Sequence, residues 1–114
     1  MDIVRFPDPS SHASLEHGDI TLRRLQGGEA SSADFIVIGH ATYPPRARSP
    51  REAAPAGRVY VVAEGALVVE QADGVRHALA QGDSVFIPAH EPCAVVNDSA
   101  TSAALVVMTS PAVK

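Results

Sequence analysis

Short β-prone runs separated by turn residues limit the fold of this chain more than any other feature of its sequence. Val, Ile and Leu dominate these runs, and Gly, Pro or Asp-Gly stands between them. Because β-branched residues favour strands while Gly and Pro favour turns, each run predicts a strand. The predicted strands cover residues 19–25, 34–43, 58–71, 75–80, 84–87, 93–97 and 103–109. No helical period of useful length occurs, so the pattern predicts an all-β sandwich or small barrel.

The interruptions in this pattern are also informative. Gly65 falls inside the longest run, which predicts a bend or a bulge there. Residues 44–57 carry four prolines and three arginines, and proline cannot donate to a sheet ladder, so we expect a loop. The β-branched run in residues 34–43 predicts a strand that is buried on both faces. Residues 1–18 include turn-forming prolines and predict an irregular N-terminal arm.

Length and charge narrow the class of protein. The 114 residues fit a single domain, residues 1–114, and 46% apolar against 19% charged residues suits a globular chain. A net charge of −4 argues against nucleic acid or an anionic membrane as a partner. No apolar run approaches the roughly 20 residues needed to span a bilayer, and the N-terminus lacks the apolar stretch of a signal peptide. The single cysteine, Cys93, agrees with a reducing compartment, so we expect a cytoplasmic protein.

Several spacings in the chain resemble those of the cupin family. Gly82, Pro88 and Asn97 stand at the spacings of the family's second motif, and Gly65 stands at the end of its first motif. The resemblance covers residues 34–109 as a barrel core. It implies an RmlC-like cupin of the cupin 2 conserved barrel type, whose fold is a double-stranded β-helix or jelly-roll barrel. Small cupins resemble one another in forming homodimers through sheet faces and exchanged N-terminal strands, so a homodimer is implied here.

The metal-binding positions of the cupin motifs hold other residues in this chain. Cys93 stands where the second motif has its metal-binding histidine, and His90 stands where that motif usually has a glycine. Counting back from Gly65 places Arg58 at the glutamate of the first motif. The two histidines of that motif fall at Glu52 and Ala54, at Arg51 and Ala53, or, with a longer loop, at Arg46 and Arg48. Because an arginine stays protonated and repels a cation, we expect no cofactor.

A divalent metal would need a rearranged set of ligands. The available donors are His40, His90, Cys93 and Glu52, and a catalytic metal needs about three protein donors with an open position. The alternative is that His40 is hydrogen-bonded in the barrel wall, His90 is a turn residue and Cys93 is a small buried hydrophobe. A nucleophilic Cys93 with His90 as its base is another alternative, which requires the two side chains to lie within hydrogen-bond reach.

Arginines cluster around the predicted loop of an otherwise acidic chain. Arg46, Arg48 and Arg51 lie in the loop, and Arg58 begins a predicted inward-facing row with Tyr60. The planar guanidinium fork suits carboxylate or phosphate groups, so Arg58 could hold a small organic anion inside the barrel. The alternative for the loop arginines is a mobile, solvated loop, or ion pairs with glutamates of a neighbouring subunit.

These observations favour a metal-free or metal-poor cupin that binds or senses a small, anionic molecule. The candidate pocket residues are Arg58, Tyr60, Cys93, His40, His90, Arg46 and Arg48. One alternative is a metal-dependent enzyme, similar to cupin dioxygenases or isomerases, with a rearranged ligand set. A structural protein that uses only its sheet edges is a third interpretation.

Overall fold

The computed structural model describes residues 1–5, 13–17 and 20–111, which form two antiparallel β-sheets. The strands are β1 (Ala13–His17), β2 (Ile20–Gln26), β3 (Val37–Tyr43), β4 (Arg58–Glu64), β5 (Ala66–Gln71), β6 (Arg76–Ala80), β7 (Ser84–Ile87), β8 (Cys93–Val96) and β9 (Ala103–Thr109). The larger sheet has the order β1-β2-β3-β9-β4-β7, and the smaller sheet has the order β6-β5-β8. This part of the chain contains no helix that is long and apolar enough to cross a membrane. The predicted all-β jelly-roll fold is confirmed.

Gly65 divides the longest predicted strand into two. β4 and β5 lie in different sheets, and Gly65 between them has a φ of 74°. A Cβ at this position would lie 3.1 Å from the Cβ of Ala103 and 3.1 Å from the carbonyl oxygen of Ser102. Both the backbone angle and the space therefore favour glycine. The predicted bend is confirmed, and it is the corner at which the chain passes from the larger sheet to the smaller one.

The strand predicted for residues 34–43 differs from the observed β3. β3 begins at Val37, and Phe35 is 76% exposed. Within β3 the buried residues alternate with half-buried ones; the buried ones are Gly39, Ala41 and Tyr43. The prediction of burial on both faces is wrong because an antiparallel sheet packs one face on the core and leaves the other outside.

The N-terminal arm is not irregular throughout. Ala13–His17 forms β1 and pairs with β2, so the prediction is wrong for these residues. Backbone pairing with β2 stabilises this segment as a strand although its own strand propensity is weak. Residues 6–12 and residue 18 of the predicted arm lie outside the described residues.

The hydrophobic core lies between the two sheets. Leu67 and Val69 of β5 pack with Val62 of β4 and Leu105 of β9, and each of the four is at most 3% exposed. Burying a side chain of this size stabilises a fold by about 1.5–3 kcal/mol. The alternation that turns these residues inward also sets which residues of β4 and β8 face the space between the sheets.

Asn97 follows β8 and is fully buried. Its amide nitrogen donates to the carbonyl oxygens of Tyr43, Pro44 and Thr101, at 2.8–3.1 Å. A buried amide with satisfied donors is stabilising, whereas loss of the side chain would leave three carbonyls without this partner. This position of the second motif therefore holds the end of β3 against the turn before β9.

Residues 47–54, which we call the strap, run along the edge of β8. Backbone bridges pair Arg48 with Val96 and Glu52 with Cys93. The strap is not a full strand, in agreement with its proline, Pro50, but its backbone is fixed to the smaller sheet. It closes one side of the space between the sheets.

Candidate functional site

A cavity of about 160 Å³ lies between the sheets. Its apolar wall is formed by Ile20, Leu22, Ala41, Val95, Leu105 and Val107. Its polar side chains come from β3, the strap, β4 and β8, and they are Tyr43, Ser49, Glu52, Arg58, Tyr60 and Cys93. An apolar wall with a few convergent polar groups is typical of a small-molecule site. A cavity of this volume accommodates a molecule about the size of benzene.

Arg58 is the cation of the cavity wall. Its Nη1 donates to the hydroxyl of Tyr60 at 3.0 Å, and its Nη2 donates to the carbonyl oxygen of Glu91 at 3.0 Å. The guanidinium carbon lies 5.7 Å from the centre of the Tyr60 ring, within the range of a cation–π contact. Nε is buried and has no hydrogen-bond partner among the described residues. The guanidinium of Arg58 thus has neutral partners only, and no carboxylate among the described residues pairs with it.

The Cys93 side chain faces the cavity from the start of β8 and is 4% exposed. Burial raises the pKa of its thiol, and the nearby charge of Arg58 and hydrogen bonds with Tyr60 and Arg58 offset only part of this effect. The thiol is therefore protonated at neutral pH. A nucleophilic cysteine needs a lowered pKa, so Cys93 is not activated in this setting.

Two tyrosine hydroxyls also face the cavity. Burial raises the pKa of Tyr43 to about 12. Burial also raises the pKa of Tyr60, although the charge of Arg58 acts in the opposite direction. Both hydroxyls keep their protons at neutral pH and can donate hydrogen bonds to a ligand.

Glu52 is the carboxylate of the cavity wall. It faces Cys93 across the bridge between the strap and β8, and directly opposed residues of an antiparallel pair share one face. All ion pairs found among the described residues involve Glu70 or Asp98. Glu52 and Arg58 therefore line the same cavity without pairing with each other.

His40 does not line the cavity, contrary to the prediction. It stands on β3 between the buried residues Gly39 and Ala41, so strand alternation turns it to the outer face of the larger sheet. There it lies opposite Arg23 of β2. Burial lowers the pKa of His40 and favours its neutral form.

His90 also lies outside the cavity wall. It is an exposed turn residue with a φ of 68°, and its backbone amide donates to the carbonyl oxygen of Ala54 at 2.8 Å. The predicted alternative of a turn residue describes it correctly. Because His40 and His90 are both absent from the wall, the structure assembles neither the Cys93–His90 pair nor the rearranged metal set with Glu52.

Arg46 and Arg48, two predicted pocket residues, do not line the cavity either. Arg46 donates from its guanidinium to the carbonyl oxygen of Asp98. Arg48 neighbours Ser49 on the strap. Of these two residues, Ser49 lines the cavity and Arg48 does not. The strap has no regular hydrophobic alternation, so the sequence could not indicate which of its side chains point inward.

Glu70 is a charged centre that the sequence analysis missed. Its side chain is 11% exposed, and three arginines contact it: Arg48 at 2.7 Å, Arg76 at 3.1 Å and Arg51 at 3.2 Å. Burial acts to raise the pKa of Glu70, but the hydrogen bond and charge of Arg48 and the charges of Arg76 and Arg51 hold it below its ordinary value. The loop arginines thus pair within their own chain. A lone glutamate in the apolar β5 run was the available signal.

The fold has counterparts in known proteins. The sequence matches the Cupin domain family over residues 39–109. The chain belongs to the cupin family. An RmlC-like cupin from Shewanella frigidimarina NCIMB 400 superposes with a TM-score of 0.76, which shows a shared fold. It is 23% identical, over 98% of this chain and 96% of that one.

Two further known proteins are similar to this chain. The polyketide cyclase RemF from Streptomyces resistomycificus superposes with a TM-score of 0.83 at 23% identity, over 96% of this chain and 79% of that one. Beta-D-galactosidase Rv1717 from Mycobacterium tuberculosis is 29% identical over 107 residues, which are 94% of this chain and 91% of that protein. Similarity at this level to RemF shows a shared cupin fold.

The cupin metal positions hold residues that do not fit a metal ion. Of the registers considered for the first motif, the one with Glu52 puts a side chain in the cavity, beside Arg58 and Cys93. A guanidinium in this set repels a cation. Within the described part of the chain, no group of three or more His, Cys, Asp or Glu side chains could hold a metal ion.

Proposed function

We propose that this cupin binds a small organic anion in its cavity and that Arg58 is the group that binds it. The observation that carries the proposal is that Arg58 lines the cavity and, among the described residues, bonds to a neutral hydroxyl and a backbone carbonyl rather than to a carboxylate. A ligand carboxylate would supply the missing counter-charge. Charge-assisted hydrogen bonds of this kind are roughly twice as strong as neutral ones.

The surroundings of Arg58 support binding. Contacts with the Tyr60 hydroxyl and the Glu91 carbonyl hold the guanidinium in place before a ligand arrives, which lowers the entropy lost on binding. Arg58 is partly buried beside the apolar wall, and a lower local dielectric strengthens a charge interaction. The volume of about 160 Å³ restricts the ligand to a size well below that of a drug-like molecule, whose pockets start at about 300 Å³.

The composition of the wall favours binding or sensing over catalysis. The relative from M. tuberculosis is named a β-D-galactosidase, and most glycoside hydrolases use a pair of carboxylates. Glu52 is the one carboxylate among the residues lining the cavity, so this wall does not offer such a pair. A metal-dependent dioxygenase or isomerase, the alternative interpretation, needs about three donors, and the described side chains do not bring them together.

A panel of small monocarboxylates and inorganic phosphate tests the proposal by thermal shift and calorimetry. At least one carboxylate should raise the melting temperature, and Arg58→Ala should abolish that shift. Arg46→Ala is the matched control, because Arg46 is exposed and lies outside the cavity wall. A panel without any shift, or a shift that survives Arg58→Ala, would rule the proposal out.

Elemental analysis tests the metal-dependent alternative. Protein purified without chelators or a metal-binding tag should contain no stoichiometric transition metal. Near-stoichiometric iron, manganese, nickel or zinc that is lost in Cys93→Ala would contradict a metal-poor cupin and favour the alternative.

We also propose that the protein is a cytoplasmic homodimer with no nucleic acid or membrane partner. An apolar groove on the outer face of the larger sheet supports self-association. This outer groove is lined by Phe35, Ile36, Val59, Phe86 and Met108. Phe35 and Phe86 are 76% and 65% exposed, and a contiguous apolar patch of this kind favours burial against another protein surface. The second copy of the chain is the occupant that the cupin resemblance implies.

A further inference from the structure

We infer that the ligand is a small zwitterion, with a carboxylate against Arg58 and a protonated amine against Glu52. The inference rests on the proposed function, because it assumes that Arg58 binds an anionic group. It adds a second recognition group at the opposite end of the ligand. The structural basis is a pair of opposite charges that line one small cavity without neutralising each other.

The pairing of the strap with β8 explains why Glu52 faces the cavity. Glu52 is opposed to Cys93 in an antiparallel bridge, and the Cys93 side chain is on the inner face of β8. The neighbouring Arg51 points to the other side of the strap, where it pairs with Glu70. Adjacent residues of an extended segment alternate between faces. The backbone therefore directs the Glu52 side chain toward the cavity side.

Glu52 takes part in none of the ion pairs among the described residues. Arg48, Arg51 and Arg76 all pair with Glu70, so these surface arginines have a carboxylate partner within the chain. Inside the cavity, Arg58 bonds to a neutral hydroxyl and a backbone carbonyl. Burial raises the pKa values of Tyr43, Tyr60 and Cys93, so these lining groups are neutral.

This arrangement gives the wall one positive and one negative side chain. A simple carboxylate would gain the attraction of Arg58 but would suffer the repulsion of Glu52. A zwitterion with the opposite polarity would gain both attractions. Glu52 is an exposed residue at the strap side of the cavity, so water weakens its contribution. The expected preference for a zwitterion over a simple carboxylate is accordingly modest. A single charge interaction weakened by water corresponds to roughly fivefold in affinity.

The cavity volume limits the length of the ligand. About 160 Å³ accommodates a molecule of roughly the size of benzene, which has about six non-hydrogen atoms. Short ω-amino acids are in this range. Each has a matched carboxylic acid in which a methyl group replaces the ammonium group: glycine and propionate, β-alanine and butyrate, 4-aminobutyrate and pentanoate.

Calorimetric titration of these three pairs tests the inference. For the ligand length that binds best, we compare the affinity for the amino acid with the affinity for its methyl analogue. We expect this affinity ratio to be about fivefold lower in Glu52→Gln than in wild-type protein. This variant keeps the backbone bonds to Cys93. Glu64→Gln, which removes an exposed carboxylate outside the cavity wall, should leave the ratio unchanged. Circular dichroism and thermal unfolding establish that each variant is folded.

The outcomes separate the two proposals. If the methyl analogues bind in an Arg58-dependent way and Glu52→Gln leaves the ratio unchanged, the zwitterion inference is wrong and the anion site stands. If neither series binds to wild-type protein, or if Arg58→Ala does not weaken binding, the proposed function itself fails. A ratio that falls in Glu52→Gln but not in Glu64→Gln supports both.

Discussion

Glu52 and Cys93 exchange both of their backbone hydrogen bonds, with each amide donating to the other's carbonyl oxygen at 3.0 Å. This pairing attaches the strap to β8 and places a carboxylate beside a thiol on the cavity side. The bridge between Arg48 and Val96 leaves the arginine on the opposite side, where it contacts Glu70. One face of the strap thus belongs to the cavity and the other to a surface ion-pair cluster. Substitutions in that ion-pair cluster are therefore expected to alter the position of the cavity-wall residues on the strap.

Glu70 should make the stability of the protein sensitive to acid. Its pKa in the folded state is lowered from the ordinary value of 4.5, so folding favours the ionised carboxylate. This contribution is fully present above about pH 4.5 and is lost as the pH falls through the lower folded-state pKa. Urea unfolding across this pH range measures the loss. We expect Glu70→Gln to be less stable than wild-type protein at neutral pH but to lose less stability on acidification.

A matched carboxylate provides the control for this prediction. Glu64 is exposed, and Glu64→Gln should retain the acid sensitivity of wild-type protein. Arg48, Arg51 and Arg76 have side chains that are 41–56% exposed, so salt should reduce the effect. Equal acid sensitivity in Glu70→Gln and wild-type protein would show that the arginines do not stabilise the ionised form.

Cys93 should react slowly with alkylating reagents in the folded protein. Burial raises its pKa above the ordinary value of 9.0, and the thiolate is the reactive form. At about pH 8 we expect iodoacetamide to react at least about tenfold more slowly than in urea-unfolded protein, because the thiol is both buried and protonated. Mass spectrometry follows the reaction.

The pH profile of alkylation tests the electrostatic part of this argument. Arg58 opposes the effect of burial on Cys93, so Arg58→Ala should move the midpoint of the profile to higher pH. Arg46→Ala should not move it. Rapid modification of wild-type protein near neutral pH would instead indicate an activated thiol and would reopen a nucleophilic role.

Gly65→Ala should destabilise the corner between the two sheets. The positive φ of 74° costs a non-glycine residue about 1–2 kcal/mol, and the new methyl group would also crowd Ala103 and Ser102. Gly74→Ala is the control, because Gly74 has a φ of 90° and nothing within 4 Å of the added Cβ. Chemical denaturation should show a larger loss for Gly65→Ala, by about 1–3 kcal/mol from overpacking. Equal losses would mean that the corner relaxes without cost.

The sequence predicted the barrel because its strong signals are local. Gly65 requires a backbone angle that other residues rarely adopt. The period of a strand puts Arg58 and Tyr60 on one face, and the cupin resemblance predicted that this face is the inner one. Cys93 was predicted to face the pocket because it stands at the metal-binding histidine of the second cupin motif. These predictions therefore combined local strand signals with the cupin resemblance.

The positions that the sequence could not predict depend on contacts between distant segments. His40 lies in an apolar run without polar alternation, so either face was compatible with the sequence. Arg48 is turned outward by the pairing of the strap with β8, and Glu70 acquires its partners only when three segments meet. Such contacts are set by tertiary packing rather than by residue type.

Phe86→Asp should convert a dimer into a monomer. Phe86 is 65% exposed and lies beside Val59 in the outer groove, so a carboxylate there would have to be buried without a partner on association. Sedimentation should give twice the 11.9 kDa of one chain for wild-type protein and the single-chain mass for the variant. Val75→Asp changes an apolar residue that is 47% exposed and outside the groove, and should leave the mass unchanged. A monomeric wild-type protein, or a dimer that survives Phe86→Asp, would show that the outer groove is not the interface.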